Sequence, residues 1–212
     1  MRWWSVPVLA MLAACSPLDP APAVFPGLVV VQPGPREPVL VVDAKTGKRV
    51  AEVALDGYAS APPGAGQLFF VHGDAGIVGR RVEDGHAVWR ELVKAPTFRP
   101  LATSDGAVFV YQEQASRPRY VALAAGSGAK LYEVACDRAA PLVAAGDQVA
   151  TFVDGQLVGH AAEDGKERYR VQAELEPPLL LTSASLFVRS GDELAVSKAD
   201  TGRIERRLAP GD

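Results

Sequence analysis

One short phrase recurs along the chain, and its period limits the folds that the chain can adopt. Each copy consists of an apolar strand, an acidic or small turn that ends in glycine, and a second strand. Consecutive turn glycines are 38, 43, 37 and 37 residues apart. The turn glycines are Gly47, Gly85, Gly128, Gly165 and Gly202. A repeat of this length indicates a stack of similar supersecondary units.

Other features keep the same phase and predict four short strands in every unit. Pro-Leu opens the last three units, an apolar strand such as 148–152 follows, and an alternating strand such as 166–171 comes after the glycine. The Asp-Gly, Thr-Gly or Ser-Gly turn supplies the positive φ that a tight hairpin needs. No helical period is found after the N-terminal segment. We therefore predict an all-β fold, a β-propeller of about five four-stranded blades.

The recurring phrase resembles the PQQ-like β-propeller repeat, whose form is Leu-x-Ala-x-Asp-x-x-Thr-Gly-x-x-x-Trp. The copies nearest to this form are 43–47, 84–89 and 199–202, and the resemblance covers residues 27–208. In this repeat family the aromatic residue four positions after the glycine packs between neighbouring blades. The residues at this position are Trp89, Tyr132 and Tyr169 in the three middle units, and Ala51 and Arg206 in the two end units.

The end units therefore differ from the middle ones, as terminal repeats of a stack often do because one neighbour is missing. Five units are also fewer than the seven or eight that are usual in the family. Two arrangements stay open, a small five-bladed ring and an open arc. We favour the closed ring, because an open arc leaves sheet edges and apolar faces exposed.

The N-terminal segment predicts export. Residues 1–14 carry Arg2 and then a mostly apolar run that ends on small residues, which is the order of a secretory signal peptide. The run is too short to span a bilayer as a helix, which takes about 20 residues. The Leu-Ala-Ala-Cys sequence that ends at Cys15 resembles the bacterial lipobox. This resemblance implies cleavage between Ala14 and Cys15 and attachment of lipid, such as palmitate, to Cys15. The alternative is an ordinary signal peptide with an incidental cysteine.

Two further segments follow the signal peptide. Residues 15–24 are predicted to be the lipidated cysteine and an extended, proline-rich tether, and residues 25–212 the propeller-like domain. Ser16 after the cysteine favours the outer membrane, facing the periplasm, if the source is Gram-negative. Without residues 1–14 the chain has 21 basic and 25 acidic residues and no basic patch, which argues against nucleic acid as a partner.

The sequence shows no catalytic or metal-binding pattern. The histidines at 72, 86 and 160 lack metal-ligand spacing and are interpreted as surface residues, and Cys136 is interpreted as strand packing. PQQ-like repeats also build quinoprotein dehydrogenases, which need an eight-bladed ring with Ca²⁺ held by Glu, Asn and Asp. This chain has less than half the length of such an enzyme, and it contains no asparagine and no adjacent cysteines. We therefore predict no cofactor, no metal and no enzymatic activity.

A lipid-anchored propeller of such repeats resembles the BamB lipoproteins of the outer-membrane β-barrel assembly machinery. Those proteins are non-enzymatic and dock on the periplasmic domain of a barrel protein. The resemblance implies a scaffold protein of the cell envelope, whose partners are the membrane, through the N-terminal lipid, and another protein. The alternative is a redox accessory protein or a degenerate quinoprotein of the envelope.

Overall fold

The computed structural model describes residues 23–25, 27–33, 37–54, 58–60, 68–73, 76–92, 102–104, 106–113, 117–138, 140–172, 175–176 and 178–209. Within these ranges every regular element is a β-strand, and 20 strands form five four-stranded antiparallel sheets. Each sheet keeps its strands in chain order, so that it is a meander of three hairpins. The predicted fold class, a β-propeller of about five four-stranded blades, is confirmed. In the same ranges there is no helix with the length and hydropathy of a membrane span.

The strands are three to six residues long, and four consecutive strands make one blade. Blade 1 contains β1 (Ala23–Phe25), β2 (Leu28–Val31), β3 (Val39–Asp43) and β4 (Arg49–Val53); blade 2 contains β5 (Tyr58–Ser60), β6 (Leu68–Gly73), β7 (Gly76–Arg81) and β8 (Ala87–Glu91); blade 3 contains β9 (Ala102–Ser104), β10 (Ala107–Gln112), β11 (Arg119–Ala124) and β12 (Lys130–Ala135); blade 4 contains β13 (Val143–Ala145), β14 (Gln148–Val153), β15 (Gln156–Ala161) and β16 (Glu167–Val171); blade 5 contains β17 (Pro178–Leu181), β18 (Ser185–Ser190), β19 (Glu193–Lys198) and β20 (Ile204–Leu208).

The N-terminal features lie mostly outside the described residues. The predicted signal peptide, the lipidation site at Cys15 and the first part of the tether all precede residue 23, where the description begins. Strand β1 takes in Ala23 and Val24, the last two residues of the predicted tether, through pairing with Val30 and Val29. The first sheet therefore starts two residues before the boundary that the sequence predicts.

Burial falls from the middle strands of a blade to its outer strand. Strands β10 and β14 each bury five consecutive residues, because neighbouring blades cover both of their faces. Strands β12 and β16, which are outer strands, alternate and leave most of their residues exposed or half-buried. Strand β13 contacts β9 and β17, so the first strands of consecutive blades lie together. The hydrophobic core thus sits between blades.

Four hydrophobic clusters hold the blades together, and each cluster joins two consecutive blades. Valines make the cluster between blades 1 and 2, whereas aromatic rings contribute to the other three. Representative members are Val41 and Val82 (blades 1 and 2), Phe70 and Trp89 with Leu123 (blades 2 and 3), Phe109 with Val149 (blades 3 and 4), and Phe152 with Leu186 (blades 4 and 5). Each blade is therefore stabilised by its neighbours in the chain.

Closure into a five-bladed ring, which we expected, is not seen. Among the described residues no hydrophobic cluster joins blade 5 to blade 1. Blade 5 leaves Leu180 53% exposed, and it carries the exposed, charged Arg206 where the middle blades carry an aromatic ring. A guanidinium group loses its hydration when it is buried, so Arg206 does not favour packing of blade 5 against blade 1.

Every outer strand carries a β-bulge at the same place. In blade 1, Val41 pairs with Ala51 and Val42 pairs with Arg49, so Val50 is left without a partner. The same shift occurs in the other four blades. The bulged residues are Val50, Val88, Leu131, Arg168 and Glu205. A bulge bends an edge strand and interrupts its row of free hydrogen-bonding groups, which protects it against pairing with another strand.

Candidate functional site

The turn between the third and fourth strands has the same hydrogen bonds in all five blades. The amide of each turn glycine donates to the carbonyl oxygen four residues earlier at 2.7–3.0 Å, and the glycine φ is 65–72°. The side-chain oxygen of the preceding residue accepts a hydrogen bond, at 3.0–3.4 Å, from the amide two residues further on. These preceding residues are Thr46, Asp84, Ser127, Asp164 and Thr201. Short polar side chains and a left-handed glycine thus fix the turn.

The three aromatic side chains of the middle blades lie on the turn glycine of the blade that follows. The pairs are Trp89 on Gly128, Tyr132 on Gly165 and Tyr169 on Gly202. A Cβ atom added to any of these three glycines would lie within about 2.5 Å of the ring. Only glycine leaves room for such a contact, so the turn glycine serves the interface between blades as well as the turn.

The polar ends of two of these rings also bind the next blade. Trp89 Nε1 donates a hydrogen bond to the carbonyl oxygen of Ala125 at 2.7 Å, and Tyr132 Oη donates to that of Ala162. Both alanines stand three residues before their turn glycine. Burial raises the pKa of Tyr169 to about 12 and raises that of Tyr132 further, so both phenols stay protonated at neutral pH.

Blade 1 lacks this arrangement. Ala51 occupies the aromatic position, and Val53 takes the place next to Gly85, where an added Cβ would meet it. A cleft of about 330 Å³ remains between blades 1 and 2, lined by Glu52, Val53, Ala54, Arg80, Asp84, Gly85, His86 and Ala87. No atom of the described residues lies within 4 Å of a Cβ placed on Gly47. The sequence signals the different packing at Gly85 through Ala51, which stands at the aromatic position of blade 1.

The histidines have separate surroundings. His86 is exposed in a turn, and its Nδ1 lies 3.4 Å from a carboxylate oxygen of Asp84. The side chain of His72 is not among the described parts of the structure. His160, interpreted from sequence as a surface residue, is half-buried, and its Nδ1 lies 3.0 Å from the carbonyl oxygen of Gly165. Cys136 is a buried thiol in the cluster between blades 3 and 4. Within the described ranges no three acidic, histidine or cysteine side chains are grouped to hold a metal ion.

The buried imidazole of His160 predicts a loss of stability in mild acid. A carbonyl oxygen only accepts, so Nδ1 carries the proton, and Nε2 is buried without a partner. Burial lowers the pKa of His160 in the folded chain. In mild acid the unfolded chain therefore binds a proton at His160 that the folded chain does not bind. Stability should fall as pH drops below about 6.5, by at most about 1.4 kcal/mol per pH unit.

Urea unfolding at pH 7 and pH 5 measures this effect. We expect a clearly smaller difference between the two midpoints for His160→Gln than for the wild type, because the glutamine amide can donate to Gly165 and does not titrate. His86→Gln, at an exposed histidine, serves as the control and should keep the wild-type difference. Equal differences for wild type and His160→Gln would contradict the assignment.

The bulged residues are apolar in blades 1 to 3 and charged in blades 4 and 5, a difference along the outer surface that was not predicted from the sequence. Val50, Val88 and Leu131, here called the apolar rim, are 49%, 48% and 45% exposed in three consecutive blades. Blades 4 and 5 place the charged Arg168 and Glu205 at the same position. An alignment of the five units at the residue three positions after each glycine would have shown the pattern.

The family of this chain follows from the last strand of blade 2 and from blades 3 to 5. A family model described as "Outer membrane protein assembly factor BamB" matches residues 82–212. The chain belongs to this family. No curated protein matches the sequence at a significant level. The resemblance to PQQ-like repeats is thereby confirmed, and the geometry described above is that of a member of the BamB family.

Solved structures share the fold at low sequence identity. BamB from Moraxella catarrhalis is 15% identical with a TM-score of 0.58, and the match covers 87% of this chain and 61% of that chain. Quinohemoprotein alcohol dehydrogenase from Comamonas testosteroni is 13% identical with a TM-score of 0.57, covering 91% and 43%. Dihydro-heme d1 dehydrogenase NirN is 15% identical with a TM-score of 0.68, covering 93% and 45%. This chain thus spans about three fifths of the BamB structure and less than half of either dehydrogenase.

Proposed function

We propose that this chain is a non-enzymatic scaffold protein of the cell envelope that takes part in the assembly of outer-membrane proteins. The observation that carries the proposal is the match of residues 82–212 to the BamB family model, together with five blades that present exposed side chains on a rigid frame. The proposed location is the outer membrane, facing the periplasm. An acylated Cys15 is the proposed anchor, because several acyl chains on one N-terminus give stable attachment where one chain is marginal.

The use of the turn carboxylates supports a non-enzymatic role. Asp43, Asp84 and Asp164 each accept hydrogen bonds from amides of their own turn, and these bonds contribute to lowering their pKa values. For Asp43 and Asp164 a side-chain hydrogen bond, from Thr46 and Lys166 respectively, is the largest cause. Carboxylates that stay ionised and are held in turns stabilise local structure and are poorly suited to proton transfer near neutral pH.

The apolar rim is the proposed docking surface for the protein partner. Its three side chains stand on edge strands whose bulges discourage strand addition, so contact through side chains is favoured over extension of a sheet. Completing the burial of a half-exposed valine or leucine contributes on the order of 1 kcal/mol. Three such residues on one frame supply part of the affinity and fix the orientation of the partner.

Affinity capture from crosslinked membranes tests the proposed role. The full-length protein is expressed in a Gram-negative host, crosslinked mildly, purified from solubilised membranes and identified with its partners by mass spectrometry. We expect a component of the barrel-assembly machinery to co-purify, and Val88→Lys to reduce its recovery several-fold. Glu205→Lys places the same residue at the equivalent bulge of blade 5 and serves as the matched control. Failure to recover any such component with the wild type would refute the assembly role.

Labelling with palmitate tests the anchor separately. We expect the wild type to incorporate the label and Cys15→Ala to lose it completely, because the thiol is the attachment point. Equal incorporation by both proteins, or no incorporation by the wild type, would contradict lipidation at Cys15. Cys15 precedes the predicted domain of residues 25–212, so we expect the same circular dichroism for the two proteins.

A further inference from the structure

The cleft between blades 1 and 2 lies beside Gly85, which has Val53 next to it where the turn glycines of blades 3 to 5 have an aromatic ring. In blades 2, 3 and 4 a ring fills the space over the next turn glycine, whereas blade 1 offers Ala51 and the shorter Val53. The remaining space of about 330 Å³ is open to solvent and has an apolar part formed by Val53, Ala54 and Ala87. This volume is at the lower end of the range for small-molecule sites.

One wall of the cleft carries a guanidinium group with few partners. Arg80 is half-buried; its Nη1 donates to the carbonyl oxygen of Gly85 at 2.8 Å, and its buried Nε has no partner. No carboxylate of the described residues lies within salt-bridge distance of Arg80. Of the five N–H donors of a guanidinium, the one on the buried Nε of Arg80 therefore has no hydrogen-bond partner. Unpaired donors in a partly desolvated charge are costly, and an anion would relieve that cost.

Arg90 adds a second positive charge nearby. Burial and then repulsion from Arg90 lower the pKa of Arg80. The other four blades also carry a charged residue five positions after the turn glycine, and each of these has an ion-pair partner. The pairs are Glu52 with Arg49, Glu133 with Lys130, Arg170 with Glu167 and Arg207 with Glu193. Within the described ranges Arg90 has no such ion-pair partner.

The two carboxylates of the cleft are already engaged. Glu52 forms an ion pair with Arg49, and Asp84 lies 3.5 Å from Arg81 and 3.4 Å from His86. Asp84 also accepts the amide hydrogen bond of its own turn. Neither group lies within 4.0 Å of the Arg80 guanidinium, so neither occupies the place that an incoming anion would take.

We propose that the cleft between blades 1 and 2 binds a small organic carboxylate, with the carboxylate on Arg80 and the apolar body against Val53, Ala54 and Ala87. A planar carboxylate matches the fork of a guanidinium, and the apolar body contacts the apolar residues of the cleft lining. The same chemistry is offered by a free acid and by the C-terminal carboxylate of a peptide that ends in an aromatic residue.

Ligand-observed ¹⁹F NMR with 4-fluorobenzoate tests the site on the full-length protein in detergent micelles. We expect line broadening with a dissociation constant in the millimolar range, and no comparable broadening of the neutral 4-fluorobenzamide. Arg80→Gln, which removes the guanidinium group, should weaken binding at least about tenfold. Arg168→Gln removes the same charge from blade 4 and should leave binding unchanged.

A variant that fills the cleft gives an independent measurement. Ala87 is exposed, so Ala87→Phe should fold normally and should abolish binding while the charge of Arg80 is kept. Competition by a short peptide ending in tyrosine, with its amidated form as control, identifies a polypeptide end as the source; no competition identifies a free acid. The proposal would be overturned by equal broadening with wild type, Arg80→Gln and Ala87→Phe. It would also be overturned by no broadening at 20 mM ligand, a concentration on the order of the dissociation constants of the weakest specific sites.

Discussion

Replacement of Trp89 by alanine is expected to lower the free energy of unfolding by about 3–5 kcal/mol. The side chain is only 9% exposed, its ring centroid lies 5.8 Å from that of Phe70, and it covers Gly128 of the next blade. Its Nε1 hydrogen bond to the Ala125 carbonyl at 2.7 Å is lost as well. Removal of the ring therefore opens a cavity and leaves a buried carbonyl oxygen unpaired.

Urea unfolding followed by far-UV circular dichroism measures this loss, and two variants separate its causes. Trp89→Phe keeps a ring against Gly128 and removes the donor, so we expect a cost of about 1–3 kcal/mol. Val88→Ala, next along the strand and 48% exposed, should cost less than about 0.5 kcal/mol. Similar midpoints for Trp89→Ala and Val88→Ala would show that the ring does not join the blades.

Replacement of Gly128 by alanine is the second large effect that we expect, at about 2–5 kcal/mol. The φ of Gly128 is 71°, which costs an alanine about 1–2 kcal/mol, and its Cβ would lie 2.5 Å from the Trp89 ring. Displacing a packed ring adds about 1–3 kcal/mol.

Gly47→Ala is the matched control for this change. Gly47 has a φ of 67° and occupies the same position in its turn, but no described atom lies within 4 Å of the added Cβ. We expect this variant to show the backbone cost alone, about 1–2 kcal/mol. Thermal and urea unfolding compare the two variants under identical conditions. Equal destabilisation by Gly47→Ala and Gly128→Ala would mean that the contact between blades contributes nothing.

The repeat and its blades could be predicted because they depend on local chemistry. A positive φ calls for glycine, and a turn whose amides need acceptors calls for a short polar side chain, so Thr46-Gly47 and Asp164-Gly165 can be recognised from sequence alone. Alternation in the strands that follow gives the outer strand of each blade. The family match over residues 82–212 rests on the same signals.

Features that depend on how two blades meet were not predicted. The half-buried site of His160, the cleft beside Arg80 and the exposure of Val88 each require the relative placement of neighbouring strands. Bulges shift the register by one residue in the outer strand, and one residue of slip decides which side chain faces outward. The cost of exposed sheet edges and apolar faces favours ring closure, whereas the charge of Arg206 in blade 5 opposes it.

The four clusters between consecutive blades also bear on how such a chain changes in evolution. In an array whose units contact only their neighbours, stability is a sum of single units and single interfaces. Duplication or deletion of one unit of about 40 residues then alters a single boundary and leaves the remaining boundaries intact. An array of this kind can gain or lose members while the surviving surfaces keep their partners, which a protein built around one shared centre cannot do.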